Sequence, residues 1–280
     1  MEVITSRQNP KIKALAALCE KKGREKQGLF RFDGIKLFTD ALGSVDIKCV
    51  ALRYPMSESV EGRVREAVAS GYLTDERILY VSEGVFEKLT EESAPEGIIT
   101  VAAYLSGLHS KAEDVEAVAA ELEGKTLLLC ESLRDPGNLG TIMRSSAALG
   151  IDALIISSDC ADLYNPKTVR SSMGALFRLP TYSVKREDMP ALVMALRGHG
   201  RRVYAAALRD NAERIGEIAL REGDCFIIGN EGHGLTDALI SAADSAAIIP
   251  MVEGNESLNA AAAATVCIWE TVRASKNNGR

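Results

Sequence analysis

The chain has 280 residues, 46% hydrophobic and 26% charged, with a net charge of −6. That is the make-up of one large or two ordinary globular domains, and it excludes a disordered or fibrous chain. No apolar run is long enough to span a bilayer, no signal-peptide pattern opens the chain, and six scattered cysteines without a Cys-x-x-Cys pair speak for free thiols in a reducing cytoplasm and against structural zinc.

The charge is unevenly spread. Residues 1–31 hold eight basic side chains (Arg7, Lys11, Lys13, Lys21, Lys22, Arg24, Lys26, Arg31) and three acidic ones (Glu2, Glu20, Glu25), so 8 − 3 = +5 in an otherwise acidic chain. Such a patch is the footprint of phosphate binding, or else the solvated face of a helix. Asn9 and Pro10 open that helix, with Ile12, Leu15, Leu18 and Cys19 at helical spacing. A strand from Gly28 to Gly34, a helix through Leu37 and Phe38, and a strand Ile47–Arg53 follow. A helix over 58–70, an extended Arg77–Val81, a helix Gly84–Leu89 and a buried strand Gly97–Leu105 complete a small α/β domain over residues 1–105. Residues 106–124 turn to Ala, Glu and Asp between Gly107 and Gly124, which predicts an acidic, partly helical linker.

From Lys125 strands and helices alternate regularly to the C-terminus, the pattern of a parallel sheet covered on both faces. Two of its strands end abruptly in glycines and small polar residues, in Phe226-Ile-Ile-Gly-Asn-Glu-Gly-His-Gly-Leu235 and in Ile248-Ile-Pro-Met-Val-Glu-Gly-Asn-Glu-Ser-Leu-Asn259. Open α/β sheets build ligand crevices at such carboxyl ends, where glycines let the backbone approach a ligand.

Three motifs, Asp135-Pro-Gly-Asn-Leu-Gly-Thr-Ile-Met-Arg144, Gly229-Asn-Glu-Gly232 and Ile249-Pro-Met…Ser257-Leu-Asn259, together resemble the signatures of the SpoU (TrmH-like) RNA 2′-O-ribose methyltransferases. Asn165-Pro-Lys-Thr-Val-Arg-Ser-Ser-Met-Gly174 is similar to the segment between them. The resemblance is close over 125–275. Residues 4–105 resemble, more loosely, that family's L30e-like RNA-binding domain. The resemblance implies a trefoil-knotted domain over residues 125–280, S-adenosylmethionine as methyl donor, no metal, structured RNA (rRNA or tRNA) as acceptor, and a homodimer built on the C-terminal domain. The block Ala260–Ala264 suits a tightly packed helix at that interface.

Each implied role has a plain counterpart. Asn138 reads otherwise as a helix N-cap and Arg144 as a solvated helix residue. In the family the matching arginine stands by the ribose and helps deprotonate the 2′-hydroxyl. A guanidinium keeps its proton, so a bidentate clamp on phosphate and developing charge is the other reading. Glu231 either caps the helix near Leu235 or organises the catalytic loop and Arg144. Ser257 and Asn259 line the site in relatives, although Ser257 also reads as the N-cap of the last helix. Where relatives often have Val-Ser after that asparagine this chain has Ala-Ala, so a second serine is absent. Gly229, Ile249 and Leu258 match positions that hold the donor through their backbone, and Met251 is a further candidate for donor binding. Arg7, Lys11, Lys13 and Arg170 are the candidate RNA contacts. His233 reads as incidental.

Two rivals stand beside this reading. A dinucleotide-dependent oxidoreductase needs Gly-x-Gly-x-x-Gly after the first strand, which Pro136-Gly-Asn-Leu-Gly140 does not supply. A catalytically inactive RNA-binding protein of the same fold is set against the joint presence of Asn138, Arg144, Glu231, Ser257 and Asn259.

Overall fold

Strands and helices run mostly in alternation in the computed structural model, which describes residues 2–252 and 257–277, the last three by backbone alone. In chain order come β1 (Val3–Ile4), α1 (Pro10–Ala17), α2 (Lys21–Gln27), β2 (Leu29–Asp33), α3 (Ile35–Ala41), β3 (Ile47–Tyr54), α4 (Glu58–Ala69), β4 (Ile78–Ser82), α5 (Glu83–Leu89) and β5 (Ile98–Ala103). The run continues as β6 (His109–Ala112), α6 (Val115–Glu121), β7 (Leu127–Cys130), α7 (Pro136–Leu149), β8 (Ala153–Ser157), α8 (Pro166–Ser172), β9 (Thr181–Val184) and α9 (Met189–Gly198). It ends with β10 (Val203–Ala206), β11 (Glu213–Arg214), β12 (Cys225–Ile228), α10 (Asp237–Ala242), β13 (Ser245–Ile248) and α11 (Ala260–Asn277). Glu253 to Glu256 of the third motif lie outside the described residues.

Two units divide the chain. The first holds Met1–Leu105 together with Asp162–Phe177, and the second holds Ser106–Ala161 with Arg178–Arg280. Residues 106–124, which composition marks as a linker, form β6 and α6 of the second unit. β6 pairs in parallel with β9, and Val118, Ala119 and Leu122 are buried in the core. Alternation of small apolar residues with acids is an amphipathic helix pattern as much as a linker composition, and burial decides between them.

The first unit is a mixed five-stranded sheet in the order β1-β4-β3-β5-β2. Asn9 accepts from Lys11 N at 2.9 Å and starts α1 with Pro10 in its first turn, as the sequence suggests. Ile12 and Leu15 then pack with Val85, Phe86 and Leu89. Tyr164, from the segment after Ala161, stacks on Tyr104 at 4.1 Å between ring centroids, and its hydroxyl accepts from Leu105 N at 2.8 Å. Phe177 closes on Phe32 at 5.1 Å.

Burial also corrects the basic patch. Arg24 and Arg31 are each 1% exposed. Arg24 donates to the carbonyls of Leu18 and Cys19 and pairs with Asp162 at 2.6 Å, so it organises the α1–α2 turn and does not face solvent. The surface of residues 1–31 therefore offers six cations (Arg7, Lys11, Lys13, Lys21, Lys22, Lys26) against three acids, 6 − 3 = +3. Arg170, on α8, is ion-paired with Glu92.

In the second unit eight parallel strands run in the order β11-β13-β10-β12-β7-β8-β9-β6. α6, α9 and α10 bury their apolar sides with Leu127, Leu129, Ile155 and Ile227. α7 and α11 pack on each other, and α11 lies against β12. Ala260, Ala261 and Ala264 are buried inside the chain, which corrects their assignment to an interface between copies. Their small size lets α11 approach its neighbours closely. Among the described residues no helix is long and apolar enough to cross a membrane.

Candidate active site

The carboxyl ends of β10, β12 and β13 open into a cleft of about 470 Å3, within the usual range for small-molecule sites. Ala206, Ile228, Ile248 and Leu235 give it an apolar floor. Gly229, Ile249, Met251 and Leu258, the four expected donor-binding residues, all line it, as do Glu231 and Ser257.

The loop after β12 keeps one shape for local reasons. Asn230 and Gly234 exchange two backbone hydrogen bonds of 2.9 Å, and Gly234 adopts φ +68°. The Asn230 side chain accepts from Gly232 N and His233 N at 2.9 and 3.1 Å and donates to the Ser132 carbonyl at 2.7 Å. A Cβ on Gly229 would stand 2.4 Å from the carbonyl carbon of Gly234, so only glycine lets the loop fold back over the strand end. Glu131, 2% exposed, pins the far end by accepting from Thr236 N and Thr236 Oγ1, both at 2.8 Å.

Motif one begins with Asp135, whose carboxylate accepts from Asn138 N at 2.8 Å and so caps α7, with Pro136 in the first turn. The cap is Asp135 rather than Asn138, and the Asn138 side chain is free to project. Its Nδ2 donates to Glu231 Oε1 at 2.9 Å, and its Oδ1 accepts from Asn259 Nδ2 at 3.0 Å. Asn259 in turn accepts from Ala261 N at 2.9 Å and Ala262 N at 3.4 Å, capping α11 in place of Ser257.

These contacts leave no choice of amide orientation. Glu231 as a carboxylate can only accept, so Asn138 must present its NH2 there and its oxygen to Asn259. The helix N–H groups can only donate, so Asn259 must present its oxygen to them and its NH2 to Asn138. A directed chain of hydrogen bonds thus joins residues 138, 231 and 259, one from each motif.

Arg144 is exposed, six residues after Asn138 and so ~120° round the helix axis. It makes no ion pair or hydrogen bond with Glu231 among the described residues. The acid's contacts are instead with Asn138 and, at 3.4 Å, with Arg134 N. Glu131, Asn230 and Asp135 are the structural supports that sequence reasoning passed over. Asn230 stands inside the quoted Gly-Asn-Glu-Gly motif, and Asp135 precedes a proline at a helix start, so both carried a visible signal. Glu131 gave none, because only the fold brings it to Thr236.

Residues 125–269 match the model of the SpoU rRNA Methylase family, and residues 9–100 match an MRM3-like substrate binding domain. The chain belongs to the SpoU rRNA methylase family. It is an S-adenosylmethionine-dependent RNA 2′-O-ribose methyltransferase, and the apolar cleft with its backbone rim fits that donor. It is 33% identical to the 23S rRNA (guanosine(2553)-2'-O)-methyltransferase RlmP of Bacillus subtilis, over 96% of this chain and 98% of that one. An AdoMet-bound rRNA methyltransferase from Sinorhizobium meliloti superposes with TM-score 0.80 at 30% identity, covering 97% of each chain. The SpoU methyltransferase AviRb from Streptomyces viridochromogenes, in complex with the cofactor AdoMet, gives TM-score 0.77 at 25% identity over 97% of this chain and 100% of that one.

Proposed function

We propose that this protein methylates a ribose 2′-hydroxyl of ribosomal RNA, with Asn138, Arg144, Glu231, Ser257 and Asn259 as its active-site residues. The observation that carries the assignment is the hydrogen-bonded chain Asn259–Asn138–Glu231, which ties the three motifs together at the rim of the donor cleft. When bound, the donor supplies an electrophilic methyl group on sulfur. Gly229, Ile249, Met251 and Leu258 hold that donor against the apolar floor. Glu231 keeps its loop in place through Asn138, and Ser257 stands at the cleft as a hydrogen-bonding group for the acceptor. Arg144, exposed and without an ion partner among the described residues, has its guanidinium fork available for the phosphate beside the target ribose and for charge developing on the 2′-oxygen. Positioning and charge stabilisation carry the reaction, with no covalent intermediate.

Arg7, Lys11 and Lys13 belong to the substrate-binding unit and serve as phosphate contacts. Arg170 does so only by leaving Glu92. A homodimer on the C-terminal unit is supported by the outer ridge of α11, where Trp269 is 55% exposed at helical spacing from exposed Ala262. Light scattering at micromolar concentration separates this from a monomer. The family's trefoil knot is supported by the strand order, since β12 lies between β10 and β7 while β13 passes to the other side of β10. A cytoplasmic location is supported by six free cysteines. Burial pushes the thiols of Cys225 and Cys267 up to about 12, which keeps them unreactive.

Incubating the protein with S-adenosylmethionine carrying a labelled methyl group and unmodified rRNA, then digesting to nucleosides, tests the reaction. Label is expected in a 2′-O-methylated nucleoside. Label on a base, or none at all, would overturn the assignment.

A further inference from the structure

At the amino-terminal ends of β10, β12 and β13, one strand length from the donor cleft, lies a second cavity of about 320 Å3. Its seven lining residues include four arginines, Arg197, Arg201, Arg202 and Arg221. β10 runs from Val203 beside this cavity to Ala206 at the donor cleft, so the two are separated by ~13 Å of strand. Nothing in the methyltransfer chemistry uses this end of the sheet.

Two carboxylates accompany the four guanidinium groups, Asp224 and Asp244, and 4 − 2 leaves +2. Both acids are already engaged by main chain and side chain. Asp224 accepts from Arg221 N at 2.7 Å and Arg202 N at 3.3 Å and pairs with the Arg202 side chain. Asp244 accepts from Val203 N at 2.8 Å and pairs with Arg197 Nε at 3.0 Å. Arg201 is 8% exposed and spends its two Nη atoms on the carbonyls of Gly223, Leu122 and Lys125, so it lends charge and support.

Arg197 also donates to the Ala242 carbonyl at 2.9 Å and Arg202 to the Ala219 carbonyl at 2.6 Å, yet not every donor is used up. Arg202 Nε is buried and has no hydrogen-bond partner among the described residues. Arg221 is exposed, with its nearest carboxylate oxygen at 3.9 Å, beyond hydrogen-bond reach. If these arginines served only to close the strand starts, each donor fork would be matched to an acceptor, as Arg201's is. Arg221 thus keeps its guanidinium fork open at the cavity wall, where an oxyanion would meet it.

We propose that this cavity is a second, non-catalytic site that binds a phosphate group through Arg197, Arg202 and Arg221. The planar guanidinium fork matches phosphate oxygens bidentately, which selects phosphate over a spherical anion such as chloride. Phosphate of this kind reaches the protein as an RNA phosphodiester or as a small phosphorylated molecule.

Calorimetric titration of the full chain with inorganic phosphate, in chloride buffer of matched ionic strength and pH, tests the site. The wild type binds one phosphate, and Arg221→Gln weakens binding about tenfold or more. Arg202→Lys, which keeps the charge but not the fork, weakens it as well. S-adenosylmethionine affinity stays unchanged in both variants and shows that the fold is intact. Filter binding of rRNA across a salt series identifies the source. A salt slope lowered by about one unit in Arg221→Gln marks a phosphodiester of the RNA, and an unchanged slope marks a small phosphorylated ligand. Absence of phosphate binding to the wild type, or equal phosphate affinity in wild type and both variants, overturns the proposal.

Discussion

Asn259, Asn138 and Glu231 finish the carboxyl ends of the strands with two neutral amides and one carboxylate, whereas Asp224 and Asp244 finish the amino ends with ion pairs to Arg202 and Arg197. An amide has a donor end and an acceptor end, so a chain of them transmits direction. An ion pair holds its partners close but orients them weakly. The end of the sheet proposed to place a ribose is built from directional contacts. The end at which the strands start is built from charge.

The difference predicts that damage at the two ends is read by different measurements. Asp224 is 2% exposed and serves Arg202 and two backbone N–H groups, so Asp224→Ala is expected to cost about 3–5 kcal/mol in urea unfolding. Methyl transfer per folded molecule should be untouched. A loss of turnover at unchanged stability would erase the distinction between the ends.

Arg144→Ala is expected to do the reverse. Turnover falls by about two to three orders of magnitude, while donor affinity and urea midpoint stay near wild type. Single-turnover methylation together with equilibrium binding of S-adenosylmethionine checks this. Near-normal turnover would remove Arg144 from the active site.

Asn138→Asp sharpens the contrast by placing a second carboxylate against Glu231. Turnover near neutral pH should drop about tenfold, since a donor has become a repelling acceptor. Like charges raise the pKa of the pair, so lowering the pH lets one carboxyl take up a proton and donate again. The variant's rate relative to wild type should therefore recover as pH falls. A pH–rate profile parallel to wild type would show that the direction of the chain does not matter.

The smallest effect is expected in the other unit. Changing Lys11, Lys13, Lys21 and Lys22, all exposed, to Glu should weaken RNA binding several-fold and lower the salt slope, leaving donor affinity alone. Filter-binding titrations with an unchanged slope would reduce these lysines to solubilising residues.

The strand–helix rhythm from Lys125 onward was readable because parallel strands buried on both faces, such as Leu127–Cys130 and Cys225–Ile228, are unbroken apolar runs. That Gly229, Ile249, Met251 and Leu258 would line one cleft was readable because their glycine-rich strand ends carry specific motifs. What could not be read was anything set by long-range burial. Arg24 and Arg31 look like surface cations until the fold encloses them, and Ala261 and Ala264 look like an interface until α11 lies against α7. Residues 106–124 look like a linker until β6 finds β9, 72 residues away at the Cα pair His109–Thr181. Amide direction was likewise invisible, because it depends on which partners meet at both ends of Asn138.

The path of the chain carries a consequence for anyone who would cut it. Asp162–Phe177 belongs to the first unit although it is flanked on both sides by the second, so the backbone passes between the units at residues 105/106, 161/162 and 177/178. A gene fragment ending at Leu105 would encode Phe30, Phe32 and Tyr104 without the Tyr164 and Phe177 rings that cover them. Exchanging the first unit between relatives at that boundary would bring in a sheet with bare aromatic rings and an Arg24 stripped of Asp162. A graft that includes the later sixteen-residue segment keeps both. Recombination of the first unit is therefore restricted to swaps of two discontinuous pieces, one of which lies inside the sequence of the other unit.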